Sequence, residues 1–326
     1  MAPAPPPGAP GVRAVTLDAD GIPLSGLLAL PPGAAPRALL VALHGAGMSA
    51  GYFHSRARPG LSLLELGASL GHAVLALDRP GYGASAAVLP EGQDLAGQTA
   101  TLLAALDGFA RVQDFGAGTL LVAHSNGGRL ALSAAAALGT DGPGGGPGPG
   151  GGPGPGGLLG VDVSGIARRF AVEPGQLPVS GGRVQWRRHW GALRFYPPDA
   201  FRLGQELLRP VPAVEAREIL RWPETYPSVA ARVRVPVRFT FAEQEQWWRH
   251  DRAAVEELLA PLSMASTEVA RQPGAGHNIS LGWAARTYHL RVLSFLEECL
   301  LARDVARTPV PAPPDRDLKK VDVDLT

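Results

Sequence analysis

The sequence predicts an α/β protein: a mostly parallel central sheet with helices on both faces and a helical cap inserted after the sixth strand. Three observations predict it. Short, continuous apolar runs (residues 38–43, 73–77 and 120–123) alternate with longer helical patterns, as strands covered on both faces of a parallel sheet require. Each run passes directly into a turn rich in small residues, His44-Gly45-Ala46-Gly47 after the first and Ser125-Asn126-Gly127-Gly128 close behind the third. Between 164 and 235 the alternation stops, and prolines break up helical patches before strand-like residues resume at 236.

Taken in order, residues 12–18 alternate apolar and polar side chains and predict a strand. A second, 22–30, follows the Asp20-Gly21 turn. Residues 38–43 predict a central strand, 61–70 a helix, 73–77 another strand and 95–112 a long amphipathic helix. The strand at 120–123 leads into a helix at 129–138. Residues 142–157 contain only Gly and Pro, so they have no apolar side chains to offset the entropy of ordering and predict a disordered loop. The sixth strand is 158–163. Within the cap, 200–208 and 213–222 have helical spacing, and Trp186, Trp190, Phe195, Tyr196, Trp222 and Tyr226 are either plain core or a cover over a pocket. A strand at 236–242, a helix at 253–259, a short strand at 267–270, a flexible turn at 274–278 and a closing helix at 283–302 complete the pattern. The division expected is a core of 12–163 with 236–304, a cap of 164–235, and disordered ends at 1–11 and 305–326.

Composition excludes several classes of partner. The formal charge of +1 on 326 residues gives no reason to expect nucleic acid binding. No uncharged apolar run nears the ~20 residues of a membrane span, and the Pro-rich first eleven residues lack the basic and apolar regions of a signal peptide. The lone Cys299 cannot form an intrachain disulfide and lies on an apolar helical face, so a cytoplasmic setting is expected. From 166 to 235, twelve arginines stand against six acidic residues. That surplus suits an anionic substrate or carrier, with a merely solvated face as the plainer reading.

The chemistry centres on Ser125. An apolar strand that turns straight into a helix holds a serine in a cramped conformation, with its hydroxyl above the sheet and the next amides aimed at the atom it attacks. The plainer reading is a strand followed by a helix cap. A serine hydroxyl needs a base, and histidine is suited to it at neutral pH. His44, His54, His72, His124, His189, His250 and His289 each have a structural account as strand edge, loop, cap surface or helix face. His277 differs, because it follows the last strand in a Gly-rich turn that can bring it beside the serine. A carboxylate must fix the imidazole tautomer. Glu245 and Glu243, at the end of the 236–242 strand, are candidates in that order, with Asp162 behind them. The Asn126 amide and, across the loop after residue 43, the Ala46 amide are candidate oxyanion donors. His44 reads as an organiser of that loop.

HGAG at 44–47, DRPGYGAS at 78–85, AHSNGG at 123–128, AEQE at 242–245 and GAGHN at 274–278 together resemble the α/β-hydrolase fold family, in the right order from about residue 12 to 302. The resemblance implies Ser125 as nucleophile, His277 as base, Glu245 as acid and no cofactor. Ala123 replaces the usual Gly, and Glu the commoner Asp. Serine at the elbow argues against the epoxide-hydrolase and dehalogenase branches, and the HGGG signature of the hormone-sensitive-lipase branch is incomplete. The function expected is a serine hydrolase cleaving a carboxylic ester or thioester through an acyl-enzyme. Its substrate would be a small-molecule acyl compound or a carrier-protein-bound acyl group. The rivals are a lyase, cyclase or acyltransferase of secondary metabolism on the same scaffold, and a catalytically silent ligand-binding protein.

Overall fold

A computed structural model describes residues 11–138, 157–177 and 183–308, without the side chains of Pro174 and 183–186. The stretches expected to be a disordered leader, Gly/Pro loop and tail lie outside the described residues, except at their margins. Strands β1 (Val12–Ala19) and β2 (Ile22–Ala29) form the expected hairpin. They are followed by β3 (Leu39–Leu43), β4 (Ala73–Leu77), β5 (Thr119–His124), β6 (Leu158–Ser164), β7 (Val237–Gln244) and β8 (Thr267–Gly276). The sheet order is β1-β2-β4-β3-β5-β6-β7-β8. Only the β1–β2 and β2–β4 pairings are antiparallel, and β4 through β8 run parallel.

Every residue of β3, β4 and β5 is buried, because helices cover both faces. Leu39, Val41 and Leu43 face one apolar cluster, with α2 (Leu95–Ala110), α3 (Asn126–Leu138) and α8 (Arg252–Leu259). Leu40 and Ala42 face the other, with α1 (Leu63–Ser69) and α9 (Ala285–Arg307). The two-residue alternation of the strands thus divides a continuous apolar run between two cores. Among the described residues no helix is long and apolar enough to cross a membrane.

Between β6 and β7 the chain leaves the sheet for α4 (Arg183–Trp190), α5 (Asp199–Glu206), α6 (Ala213–Ile219) and α7 (Trp222–Ala230). The expected helix at 213–222 is two helices. A new one starts at Trp222, with Pro223 in its first turn where a missing N–H costs nothing, and runs on through Pro227. Trp222 and Tyr226 are fully buried in the cluster shared with α3, and Trp222 Nε1 donates to the Ala167 carbonyl. Trp190 and Tyr196 are also buried, packed on Phe201. These aromatics are core. The Trp186 side chain lies outside the description.

Two boundaries differ most from the sequence reading. β8 continues to Gly276, because past a bulge Gln244 still pairs with Gly276, so 274–276 is strand end rather than flexible turn. α9 runs to Arg307, so the first residues of the expected tail are helical.

The fold also buries most of its histidines. Burial is the largest cause lowering the pKa of His44, His54, His72, His124, His189 and His289, with His189 and His289 both at about 3. An unfolded chain takes up these protons near pH 6.5, and the folded one does so only at lower pH. Stability is therefore complete above about pH 6.5 and falls as pH drops below it. Urea midpoints should fall from pH 7.5 to pH 5.0, and His289→Gln should make that decline shallower.

Candidate active site

Ser125 sits between the last residue of β5 and the first of α3, at φ +51°, in the left-handed region. Such a conformation costs about 1–3 kcal/mol for a residue with a Cβ. It is held there from both sides: the Ser125 N–H donates to the Ser164 carbonyl (2.8 Å), and the Ser125 carbonyl accepts from the Gly128 N–H (2.8 Å). A Cβ at position 127 would stand 2.2 Å from the Leu43 carbonyl oxygen. Only glycine lets α3 start so close to the β3 loop. Among the described residues neither the Ala46 nor the Asn126 amide has an acceptor, and both residues border the same cavity as Ser125.

His277 follows β8 directly and is 3% exposed. Its Nδ1 lies 2.7 Å from Glu245 Oε2. A carboxylate only accepts, so Nδ1 carries the proton and Nε2 is left as the acceptor. The other Glu245 oxygen accepts from the Trp247 N–H at 2.9 Å, which fixes the carboxylate in the loop beyond β7. Of the three candidate acids, only Glu245 reaches the imidazole. Glu243 is exposed and accepts from the Gly274 N–H, while Asp162 is buried against Arg238 and Tyr288. Gly165, at φ +60°, makes room for the ring: a Cβ there would stand 2.9 Å from His277 Cε1.

Ser125 and His277 line one cavity. No hydrogen bond joins them among the described residues, and bonds of this kind commonly tighten only when substrate is bound. His124 fills the space beside them, stacked on Tyr52 (4.6 Å) and 4.6 Å from the His277 ring. Its pKa is held well below the usual imidazole value by burial and then by His277, so it stays uncharged. His189, expected on the cap surface, instead borders the cavity 5.7 Å from His277.

The sequence reading missed the group that ties these parts together. Arg79, from the loop after β4, makes a two-pronged ion pair with Glu215 of α6 at 2.9 and 3.0 Å, with both side chains fully buried. Tyr82 Oη donates to the same carboxylate (3.1 Å), as does Asn126 Nδ2 (3.0 Å). Arg79 also donates to the His44 carbonyl through Nε (2.7 Å), and to His44 Nε2 through its backbone N–H (3.1 Å). The Gly47 N–H reaches Tyr82 Oη at 3.2 Å. One carboxylate of the cap thus joins the loop after β3, the loop after β4 and the start of α3. Burial opposes both charges, yet the pairing outweighs it, leaving the Arg79 pKa raised and that of Glu215 lowered. His44 is the loop organiser expected of it. Arg79 and Tyr82 stand in the DRPGYGAS motif, which was the available signal; Glu215 had none.

The cavity together with its open, solvent-filled mouth spans about 490 Å³. Met48, Phe170, Leu177, Ile219, Trp247 and Trp248 form its apolar wall. The cap segment around Phe170 pairs with the segment at Trp248, and the two rings stack at 4.4 Å. Neither segment was expected to build a pocket. None of the cap arginines with described side chains borders it. Arg169 pairs with Glu257 and Arg202 with Glu206, and Arg188 lies over the ring of the wall residue Trp247.

A family model described as "Alpha/beta hydrolase family" matches residues 40–287. Similar solved structures include a highly thermostable carboxyl esterase from Bacillus coagulans, with 15% identity and TM-score 0.61 over 89% of this chain and 99% of that one. E-2-(acetamidomethylene)succinate hydrolase is 17% identical, with TM-score 0.57 over 88% and 100% of the two chains. The thioesterase domain of the curacin biosynthetic pathway is 14% identical, with TM-score 0.53 over 89% and 99%. At such identities the likeness is one of fold. No curated protein matches the chain.

Removing Glu215 strands the Arg79 guanidinium in a buried site, which costs about 3–5 kcal/mol. Glu215→Ala should show that loss in urea denaturation, and Glu215→Gln a smaller one.

Proposed function

Because the chain belongs to the alpha/beta hydrolase family, we propose that it is a serine hydrolase that cleaves a carboxylic ester or thioester through an acyl-enzyme. The observation that carries this reading is a left-handed serine sharing a cavity with an imidazole whose far nitrogen is bonded to a buried carboxylate. Fold alone would not support it, since this scaffold hosts many chemistries.

In this reading Ser125 Oγ bonds to the acyl carbon as its proton passes to His277 Nε2. The carbonyl π electrons move onto oxygen, and the Ala46 and Asn126 amides stabilise that charge. The imidazolium, steadied by Glu245, returns the proton to the leaving alcohol or thiol as the carbonyl re-forms. Water then enters with His277 as base, and the acid departs. Asn126 has two duties: its backbone amide serves the oxyanion, and its side chain ties α3 to Glu215.

Ser125→Ala should lower ester hydrolysis by about 10⁴- to 10⁶-fold, measured on p-nitrophenyl esters and acyl thioesters. A fluorophosphonate should label Ser125 in the wild type; near-full activity in Ser125→Ala would overturn the reading. In ¹⁸O-water, label in the acid product reports hydrolysis, and turnover without label reports acyl transfer to another acceptor.

A further inference from the structure

Two polar side chains of the cavity wall have no part in the chemistry above. His189 enters from α4, its ring 4.8 Å from Trp247 and 5.7 Å from His277. Its backbone carbonyl accepts from the Asn278 N–H at 3.0 Å, so the two residues are fixed to each other. Asn278 is 2% exposed, and its Nδ2 is a buried donor without a partner among the described residues. The half-buried His189 ring has no hydrogen bond among them. Burial, and then the neighbouring His277, lower the His189 pKa to about 3. A neutral imidazole offers one donor and one acceptor.

Such groups are out of place in an otherwise apolar wall. Buried polar groups are nearly always paired, and an unpaired one calls for an explanation. A structural histidine finds its partner within the protein, as His289 Nε2 does at Ser280 Oγ and His124 Nδ1 at Ser164 Oγ. His189 does neither. The wall also has a second property: among the described residues no Arg, Lys, Asp or Glu borders the cavity. A charged substrate group would lose its water there and gain no counter-charge.

Resting on the serine-hydrolase reading, we propose that His189 and Asn278 form a specificity subsite for an uncharged hydrogen-bonding group, a hydroxyl or carbonyl, on a compact and otherwise apolar ester or thioester. The apolar wall takes the hydrocarbon, and the subsite orients it so that the scissile carbonyl meets Ser125. A substrate lacking the polar group leaves both side chains unpaired, and that difference sets the preference. The arginine surplus of the cap has no part in it.

The test uses matched esters with wild type, His189→Phe and His189→Gln. One pair places a hydroxyl or a methyl on the acyl chain, and a second pair does so on the alcohol. A third ester carries a carboxylate at the same position. Wild type should favour the hydroxyl member of at least one pair by about tenfold to a hundredfold in kcat/KM, and should disfavour the carboxylate. His189→Phe should collapse the ratio to near one, and His189→Gln, which can still donate and accept, should restore part of it. A merely structural role would lower both members of a pair alike and leave the ratio intact. No preference in the wild type overturns the proposal, as does a preference that survives in His189→Phe. If His189→Phe does not fold, a wild-type ratio near one, or a ratio in His189→Gln unchanged from the wild type, still overturns it. Failure of Ser125 to react with fluorophosphonate sinks the hydrolase reading instead, so the two failures are distinguishable.

Discussion

The constraint on which the structure turns is the backbone at Ser125. A residue with a Cβ held at φ +51° stays there only if its surroundings leave no alternative, and three elements supply that compulsion. β6 provides the carbonyl that takes the Ser125 amide, β3 presses its own carbonyl oxygens against Gly127, and α3 starts at once. A parallel sheet with β5 in its middle brings all three together. The strained turn thus follows from the sheet order, and the cavity in turn follows from the turn.

Sheet and elbow were legible because they are written in local pattern. Residues 120–123 are apolar since both faces of β5 are covered, and Ala123, Gly127 and Gly128 are small since strand and helix nearly collide. His277 was legible by its place after the last strand. The choice between Glu243 and Glu245 was not: both lie at the end of β7, and side-chain direction beyond a strand end depends on how the loop turns. The Trp247 amide and the bulge opposite Gln244 decide it, and neither leaves a mark in the sequence.

The cap was the least legible region. Its aromatics look like a cover over a pocket, yet Trp190, Trp222 and Tyr226 are core, and the rings at the cavity come from Phe170, Trp247 and Trp248. Those three sit in irregular segments that pair across the gap between cap and sheet, a contact between residues far apart in sequence with no periodicity to betray it. The cap arginines were open to two readings. A compositional surplus is visible in one dimension, but whether it faces a ligand depends on which side of each helix it occupies, and among the described side chains none of it borders the cavity.

The cap is fastened unevenly. Through α6 it contributes Glu215, whose separation from Arg79 would leave two charges in a dry interior. Through α5 it buries Ala200 and Gly204 in an apolar cluster with Leu281. At the rim it adds Arg56 and Glu206, exposed and 3.7 Å apart, a pairing that water and salt replace at little cost. The α5 end is thus held by apolar packing, and the α6 end by a buried pair of charges. The carboxylate that fixes the cap to the Arg79 loop is also the one that grips the first residue of α3, so the placement of the cap and the start of that helix hang on a single side chain.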